Sequence, residues 1–234
     1  KDLDEDYDFA DLLSDICEIE GDFTVRFMTS HPKDTSDELI EVMKEYSPKI
    51  APFFHLPLQS GSSEILRRMN RTYDRDRYID IATKLKSSIP GIALSTDIII
   101  GFPGESESDF ADTMDILKRV EFDNVYAFLF SPREGTRAAK MDNTVARGDM
   151  DKRMAELLAY QDELSIRLNQ KYEGSVQRVL VDSFEAQDGG IVFSGRTLTN
   201  KLVYFTAETV SVGEFINVKI TKACPYHLLG EAEK

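Results

Sequence analysis

Four times before Gly135 an apolar stretch of this sequence ends in polar or glycine-rich residues. The junctions are Ser30-His31, Gln59-Ser60-Gly61, Gly101-Phe102-Pro103-Gly104-Glu105 and Ser131-Pro132-Arg133. Ligands of parallel sheets and βα barrels bind beyond the carboxyl ends of the strands, so four such junctions on one rim point to a pocket. The sharpest is Ile98–Glu105 (IIIGFPGE). Its glycines allow close backbone approach, and Glu105 lies near a helix N-terminus, where a carboxylate is favoured. A tight strand-to-helix turn explains the same residues equally well. Asp97, preceded by Ser95 and Thr96, interrupts an apolar strand. A buried carboxylate needs partners, and ligand contact is favoured over loop anchoring. His31 and His55 read as structural, because no second histidine or cysteine supplies metal-ligand spacing. Tyr126, Phe128 and Phe130 read as core. Cys17 and Cys224, far apart and outside any CxxC spacing, read as small core residues of a chain kept in a reducing cytoplasm.

The elements that must position these residues alternate between helical and strand patterns up to about residue 170. A helix over Tyr7–Glu20 would bury Phe9, Leu12, Leu13 and Ile16, and Thr24–Thr29 (TVRFMT) reads as a strand. Ser36 or Thr35 would cap the next helix, with Leu39, Val42, Met43 and Tyr46 inward; Asp74 would cap another, burying Tyr78, Ile81 and Leu85. Phe53–Leu58, Ile92–Ile100 and Val125–Phe130 are further strands. Ser106 with Asp109 starts a helix, and Asp149 or Asp151 opens a long one bearing Met154, Leu157, Leu158, Leu164 and Leu168. The expected class is α/β, with parallel strands joined by right-handed crossovers into a doubly wound sheet or part of a barrel. The chain begins inside a helix, and TVRFMT would be an unpaired edge, which implies that one or two strands are missing from the front.

After Gly174 the pattern changes. Val176–Val181, Ile191–Ser194, Leu202–Phe205 and Phe215–Ile220 are short strands separated by turns such as Asp188-Gly189-Gly190 and Val212-Gly213. They predict a small antiparallel β-barrel over residues 171–234, behind an α/β domain over residues 1–170. Arg178, Arg196, Lys201, Lys219 and Lys222 accompany Tyr204 and Phe205 there, a mixture that can hold RNA by phosphate contact and stacking. The alternation equally suits aromatics in a core beneath a solvated charged face. A net charge of -14 excludes a generally basic nucleic-acid binder, so RNA contact would need a local patch. No apolar run is long enough to span a bilayer, and the first residue, Lys1, is not a Met.

With these residues in view, the sequence resembles the methylthiotransferase branch of the radical-SAM family. RFMTSHPKD, HLPLQSGSSEILRRMNRTY, STDIIIGFPGE and FDNVYAFLFSPREGTRA occur in that family's order, and GRTLTNKLVYF followed by VGEFINVKIT resembles an OB-like TRAM domain. LPLQSGS, NRTY and GRTLTNK are most similar to the MiaB type, which adds a methylthio group to isopentenyl-adenosine beside the tRNA anticodon. The branch acting on threonylcarbamoyl-adenosine is the nearest alternative. The resemblance implies a partial radical-SAM barrel, S-adenosylmethionine held by Gln59, Ser60, Ser95, Asp97, Gly101 and Phe130, and the tRNA anticodon stem-loop as partner. It also implies two 4Fe–4S clusters in the full-length parent. Their ligands are not in this chain: the CxxxCxxC motif of the first barrel loop and the N-terminal cluster domain are both missing, so the 234 residues alone should be inactive. A noncatalytic RNA-binding scaffold, or an ordinary phosphate-binding βα-barrel enzyme, are the competing readings.

Overall fold

The computed structural model describes residues 7–28, 31–142, 144–187, 190–207 and 209–233. The chain divides into two compact units, Lys1–Gln161 and Asp162–Lys234.

The first unit is built of helices α1 (Phe9–Glu18), α2 (Asp37–Glu45), α3 (Ser63–Arg68), α4 (Arg75–Ser88) and α5 (Glu107–Val120), with strands β1 (Phe53–His55), β2 (Ala93–Ile100) and β3 (Asn124–Leu129). Helix α6 (Arg147–Gln170) starts here and ends in the second unit. The strands pair in parallel in the order β1-β2-β3. The expected caps sit where their chemistry requires an acceptor: Ser36, Asp74 and Ser106 each take a backbone N–H of the first turn, and Asp109 completes a capping box with Ser106.

Several expectations are corrected. TVRFMT contributes a single parallel bridge, Val25 to Ile50, and its last residue and Ser30 lie outside the described residues. In α1 the buried residues are Ala10, Leu13 and Cys17, while Phe9 and Leu12 are exposed. The buried stripe, Ala10, Leu13 and Cys17, follows the i, i+3, i+7 spacing of one helical face and is turned one residue from the predicted stripe. Thr35 is not the cap of α2: it is buried, with its hydroxyl donating to the His31 carbonyl. Helix α6 opens at Arg147, ahead of Asp149, and its Leu158 is exposed.

Alternation along the strands sorts the two sheet faces. Phe54, Leu94, Ile98, Ile100 and Val125 enter the core with Leu66, Tyr78, Leu85, Phe110 and Leu117 from the helices. The opposite face carries His55, Ser95, Asp97, Ile99, Tyr126 and Phe128, as the register Ser95–Asn124, Asp97–Tyr126 and Ile99–Phe128 requires. Tyr126 and Phe128 are therefore not core residues; they are 44% and 55% exposed on that second face.

The second unit is a closed barrel of β4 (Val176–Gln187), β5 (Gly190–Thr197), β6 (Leu202–Thr206), β7 (Phe215–Ala223) and β8 (Leu228–Ala232), in the order β4-β5-β6-β8-β7. The last strand is one that sequence patterning does not predict. It pairs in parallel with β6, so the barrel is not antiparallel throughout. Val179, Val181, Phe193, Val203, Phe205, Val218, Ile220 and Leu228 fill it. Two corners are turned by a bulge facing a glycine. The β4 register slips between Val181 and Ser183 opposite Gly195, and the β7 register slips between Ile220 and Lys222 opposite Gly230. A Cβ on Gly195 would meet the Leu180 carbonyl, and one on Gly230 would come within 2.6 Å of the Lys219 carbonyl oxygen. Only glycine permits these close strand approaches.

Candidate functional site

The rim turn after β1 is built around a close approach to α5. Gly61 donates its N–H to Thr113 Oγ1 at 2.8 Å, and a Cβ at Gly61 would lie 2.6 Å from Thr113 N. Ser62 caps α3 and donates to Asp109 Oδ1 at 2.6 Å, so one carboxylate serves the N-termini of α3 and α5. Burial pushes the Asp109 carboxyl up, but the Ser106 and Ser62 hydroxyls outweigh it and hold the group below its ordinary value. Gln59, at a left-handed φ of 71°, continues the parallel pairing beyond β1 through its N–H to the Asp97 carbonyl.

The turn after β2 is fastened by charge. Gly101, at φ 79°, donates its N–H to Glu105 Oε2 at 2.8 Å, and Arg153 of α6 donates to the same oxygen at 2.7 Å. Both side chains are almost wholly buried. Burial pushes the Glu105 carboxyl upward, opposed by the Gly101 N–H and the Arg153 guanidinium. Arg153 also reaches the Glu105 carbonyl and Glu107, while its Nε has no partner among the described residues. The guanidinium of Arg68 lies where a Cβ on Gly104 would be. Arg68 and Arg153 are positioning residues that sequence reading overlooks. The available signal was the face Met150, Arg153, Leu157, in which an arginine stands among buried apolar residues at helical spacing.

Above these turns lies a cleft of about 530 Å³, walled by Gln59, Asp97, Ile99, Phe128, Phe130 and Arg133, with Ser131 and Thr136 at its edge. Asp97 is partly exposed, and its Oδ2 is 3.5 Å from His55 Nε2; the other ring nitrogen of His55 is 2.8 Å from Ser95 Oγ. Phe130 meets Phe102 edge-on at 5.3 Å. Of the six residues expected to hold a cofactor, Gln59, Asp97 and Phe130 therefore share a wall. Ser95 is fully buried behind His55, Ser60 is fully buried with its Oγ accepting from Ser62 N, and Gly101 shapes the turn below. His31 stands apart, edge-on to Tyr73.

Volume and lining suit a nucleoside-sized ligand with both polar and apolar parts. They do not suit a metal cluster. Among the described residues no group of three or more His, Cys, Asp or Glu could hold a metal ion. The sequence's two cysteines are one buried in the α1 core and one in the barrel unit.

On the barrel unit, Arg178 lies over the Phe215 ring at 4.1 Å, and Arg196 faces Asp182 and donates to the Asn200 carbonyl. Lys219 is register partner to Val176 and Glu231, Lys222 lies just past the β7 bulge, and Lys201 begins the approach to β6. Tyr204 is exposed beside His227, whereas Phe205 is core. A hollow of about 580 Å³ at Thr206, Val210 and Ile216 is flanked by Glu231 and Glu233, a poor match for phosphate.

Two family descriptions match the sequence: the radical SAM superfamily over residues 4–117 and the TRAM domain over residues 170–232. The chain carries a radical SAM domain and a TRAM domain. It is 48% identical over 231 residues to the tRNA-2-methylthio-N(6)-dimethylallyladenosine synthase of Clostridium botulinum (strain Langeland), covering 99% of this chain and 51% of that one. The synthases of the same name from Fusobacterium nucleatum and a Thermoanaerobacter species are 46% and 44% identical, with 53% and 49% of their lengths covered. The chain thus spans about half the length of the curated relatives it matches. Among solved structures, coproporphyrinogen III oxidase (HemN) from Escherichia coli, a radical SAM enzyme, superimposes with a TM-score of 0.50. It shares 12% identity over 73% of this chain and 45% of its own, a likeness of fold alone. Among the described residues no helix of the chain is long and apolar enough to cross a membrane.

Proposed function

We propose that these residues are the cofactor-holding and RNA-holding part of a cytoplasmic tRNA methylthiotransferase whose substrate is N6-dimethylallyladenosine in tRNA. The observation that carries this reading is identity of 48% running through both the radical SAM and the TRAM portions. The cleft supports it. S-adenosylmethionine, when bound, supplies the radical chemistry for which the superfamily is named. In this chain Gln59 and Asp97 offer an amide and a carboxylate to its polar groups, and Phe130, held by Phe102, offers a ring face. Ser60, Ser95 and Gly101 act one layer behind, fixing the turns and the His55 ring on which that wall depends. The iron–sulfur clusters belong to residues other than these, and the chain alone is inert in the transfer. The change of task falls near Lys171. Beyond it Arg178, Arg196, Lys201, Lys219 and Lys222 contact the anticodon stem-loop, with Tyr204 as the aromatic presented outward.

The test is calorimetric titration of the chain with S-adenosylmethionine. Saturable binding is expected, weakened about tenfold by Asp97→Asn, the loss of one charge-assisted hydrogen bond. A wild-type chain that takes up no S-adenosylmethionine would remove the reading.

A further inference from the structure

His31 and His55 both read as structural in the sequence, and the fold separates them. The parallel register sets His55 of β1 opposite Ser95 of β2, and Asp97, two residues on, falls on the same sheet face. His55 Nδ1 lies 2.8 Å from Ser95 Oγ. Its Nε2 lies 3.5 Å from Asp97 Oδ2, an electrostatic contact rather than a short hydrogen bond. The imidazole is mostly buried, and Tyr126 of β3 is tilted against it at 5.9 Å. Ser95 is fully buried, so its hydroxyl hydrogen needs an acceptor, and Nδ1 stands within reach. With Nδ1 accepting, the ring hydrogen sits on Nε2, the nitrogen that faces Asp97.

Asp97 walls the cleft, and among the described residues His55 is the side chain that pairs with its carboxylate. A histidine kept for packing alone needs one partner. This one has two, at opposite nitrogens, and the second stands at the cleft. Resting on the function proposed above, we infer that His55 is a positioning residue for the cofactor: its Nε2–H holds Oδ2 of Asp97 and so presents Oδ1 to a hydrogen-bond donor of S-adenosylmethionine. With neither oxygen held, the carboxylate would turn about its own side-chain bonds, and a ligand would have to fix it on binding. Ser95 takes part through the ring, by setting its tautomer, and Tyr126 by covering one side of it.

The experiment is calorimetric titration of the full chain and its His55 variants with S-adenosylmethionine, beside their thermal melting. Asparagine carries an amide where Nδ1 stands and nothing where Nε2 does; glutamine reverses this. His55→Asn therefore keeps a partner for Ser95 but none for Asp97, and should bind about fivefold more weakly with a melting point near wild type. His55→Gln should bind within about twofold of wild type although it melts lower, because Ser95 has lost its acceptor. A purely structural histidine requires the opposite order, with glutamine the weaker binder. His55→Asn/Asp97→Asn should bind no more weakly than Asp97→Asn, about tenfold below wild type, whereas independent losses would multiply to about fiftyfold. Where the glutamine chain does not fold, the asparagine and double variants decide the matter by themselves. An asparagine variant that binds as tightly as wild type, a glutamine variant as weak as asparagine, or losses that multiply each overturn the inference and leave the cofactor reading intact. A wild-type chain that binds no S-adenosylmethionine overturns both.

Discussion

Arg153→Met removes the cation from a buried pair while keeping an unbranched side chain of similar length. Each member of the Arg153–Glu105 pair is 6% exposed, and they meet at 2.7 Å. After the substitution Glu105 keeps the Gly101 N–H but loses its charge partner. Breaking a buried pair from one side costs about 3–5 kcal/mol, because the remaining charge is left without compensation. At roughly 2–4 °C per kcal/mol for a protein of this size, the first unit should melt about 6–20 °C lower. The pH dependence separates this cause from lost packing. Burial already raises the Glu105 carboxyl in the folded state, and removing Arg153 takes away an influence that lowers it. A carboxyl whose folded pKa exceeds its unfolded value contributes stability that is present below the unfolded pKa and is lost as pH rises through the folded one. The variant's deficit, measured by urea denaturation followed by circular dichroism, should therefore be smaller at pH 5 than at pH 8. Arg153→Met/Glu105→Gln should regain part of the loss at pH 8 and show little of that pH dependence. A single variant within 1 kcal/mol of wild type at both pH values would refute the argument, since a solvated pair contributes only about that much.

Two further substitutions test the close approaches. Gly61→Ala drives a Cβ into the α5 backbone at Thr113 and should cost about 1–3 kcal/mol in the first unit, with calorimetry showing no change in the barrel transition. Gly195→Ala forces β5 away from the Leu180 carbonyl at the β4 bulge and should lower the barrel transition by a similar free energy; an unshifted midpoint would mean the corner has slack.

What the residues disclose of themselves is mostly local. Ser36, Asp74 and Ser106 were legible as caps because a cap is written in adjacent positions. Three of the four expected rim junctions were legible because polar residues must follow apolar strands there; of the fourth, Ser30 lies outside the described residues and His31 stands apart from the cleft. Tyr126 and Phe128 were misread because both faces of a parallel strand can be apolar, and alternation does not say which face is covered. Strand β8 was missed because Leu228–Ala232 is short, contains Gly230 and runs into charge. The Arg153–Glu105 pair joins positions far apart in the chain, and nothing near either residue names its partner. Family resemblance supplies motifs containing Ser60, Ser95 and Gly101; their hydrogen bonds, to Ser62, His55 and Glu105, join positions that the motifs do not name as partners.

The three rim turns are not held equally, and this has a dynamic consequence. The first is fastened to α5 through Gly61 and Thr113, and the second to α6 through Glu105 and Arg153. The hydrogen bonds of the third, Ser131–Arg137, among the described residues are local, Thr136 to the Arg133 carbonyl and Ala139 to Thr136, and its side chains are exposed. Segments with few buried contacts and local hydrogen bonds open most readily. Yet this turn contributes Ser131, Arg133 and Thr136 to the wall of the cleft proposed above to hold the cofactor. Two turns are thus preorganised from behind, and the third is left to be ordered by what binds. Hydrogen exchange followed by mass spectrometry should show slow amides at residues 59–62 and 101–105 whether or not S-adenosylmethionine is present. Residues 131–138 should exchange fast in the free chain and slow down on saturation with the cofactor. Equal protection of all three turns without ligand, or no slowing of the third with it, would mean that the rim is rigid throughout and that binding is paid for elsewhere.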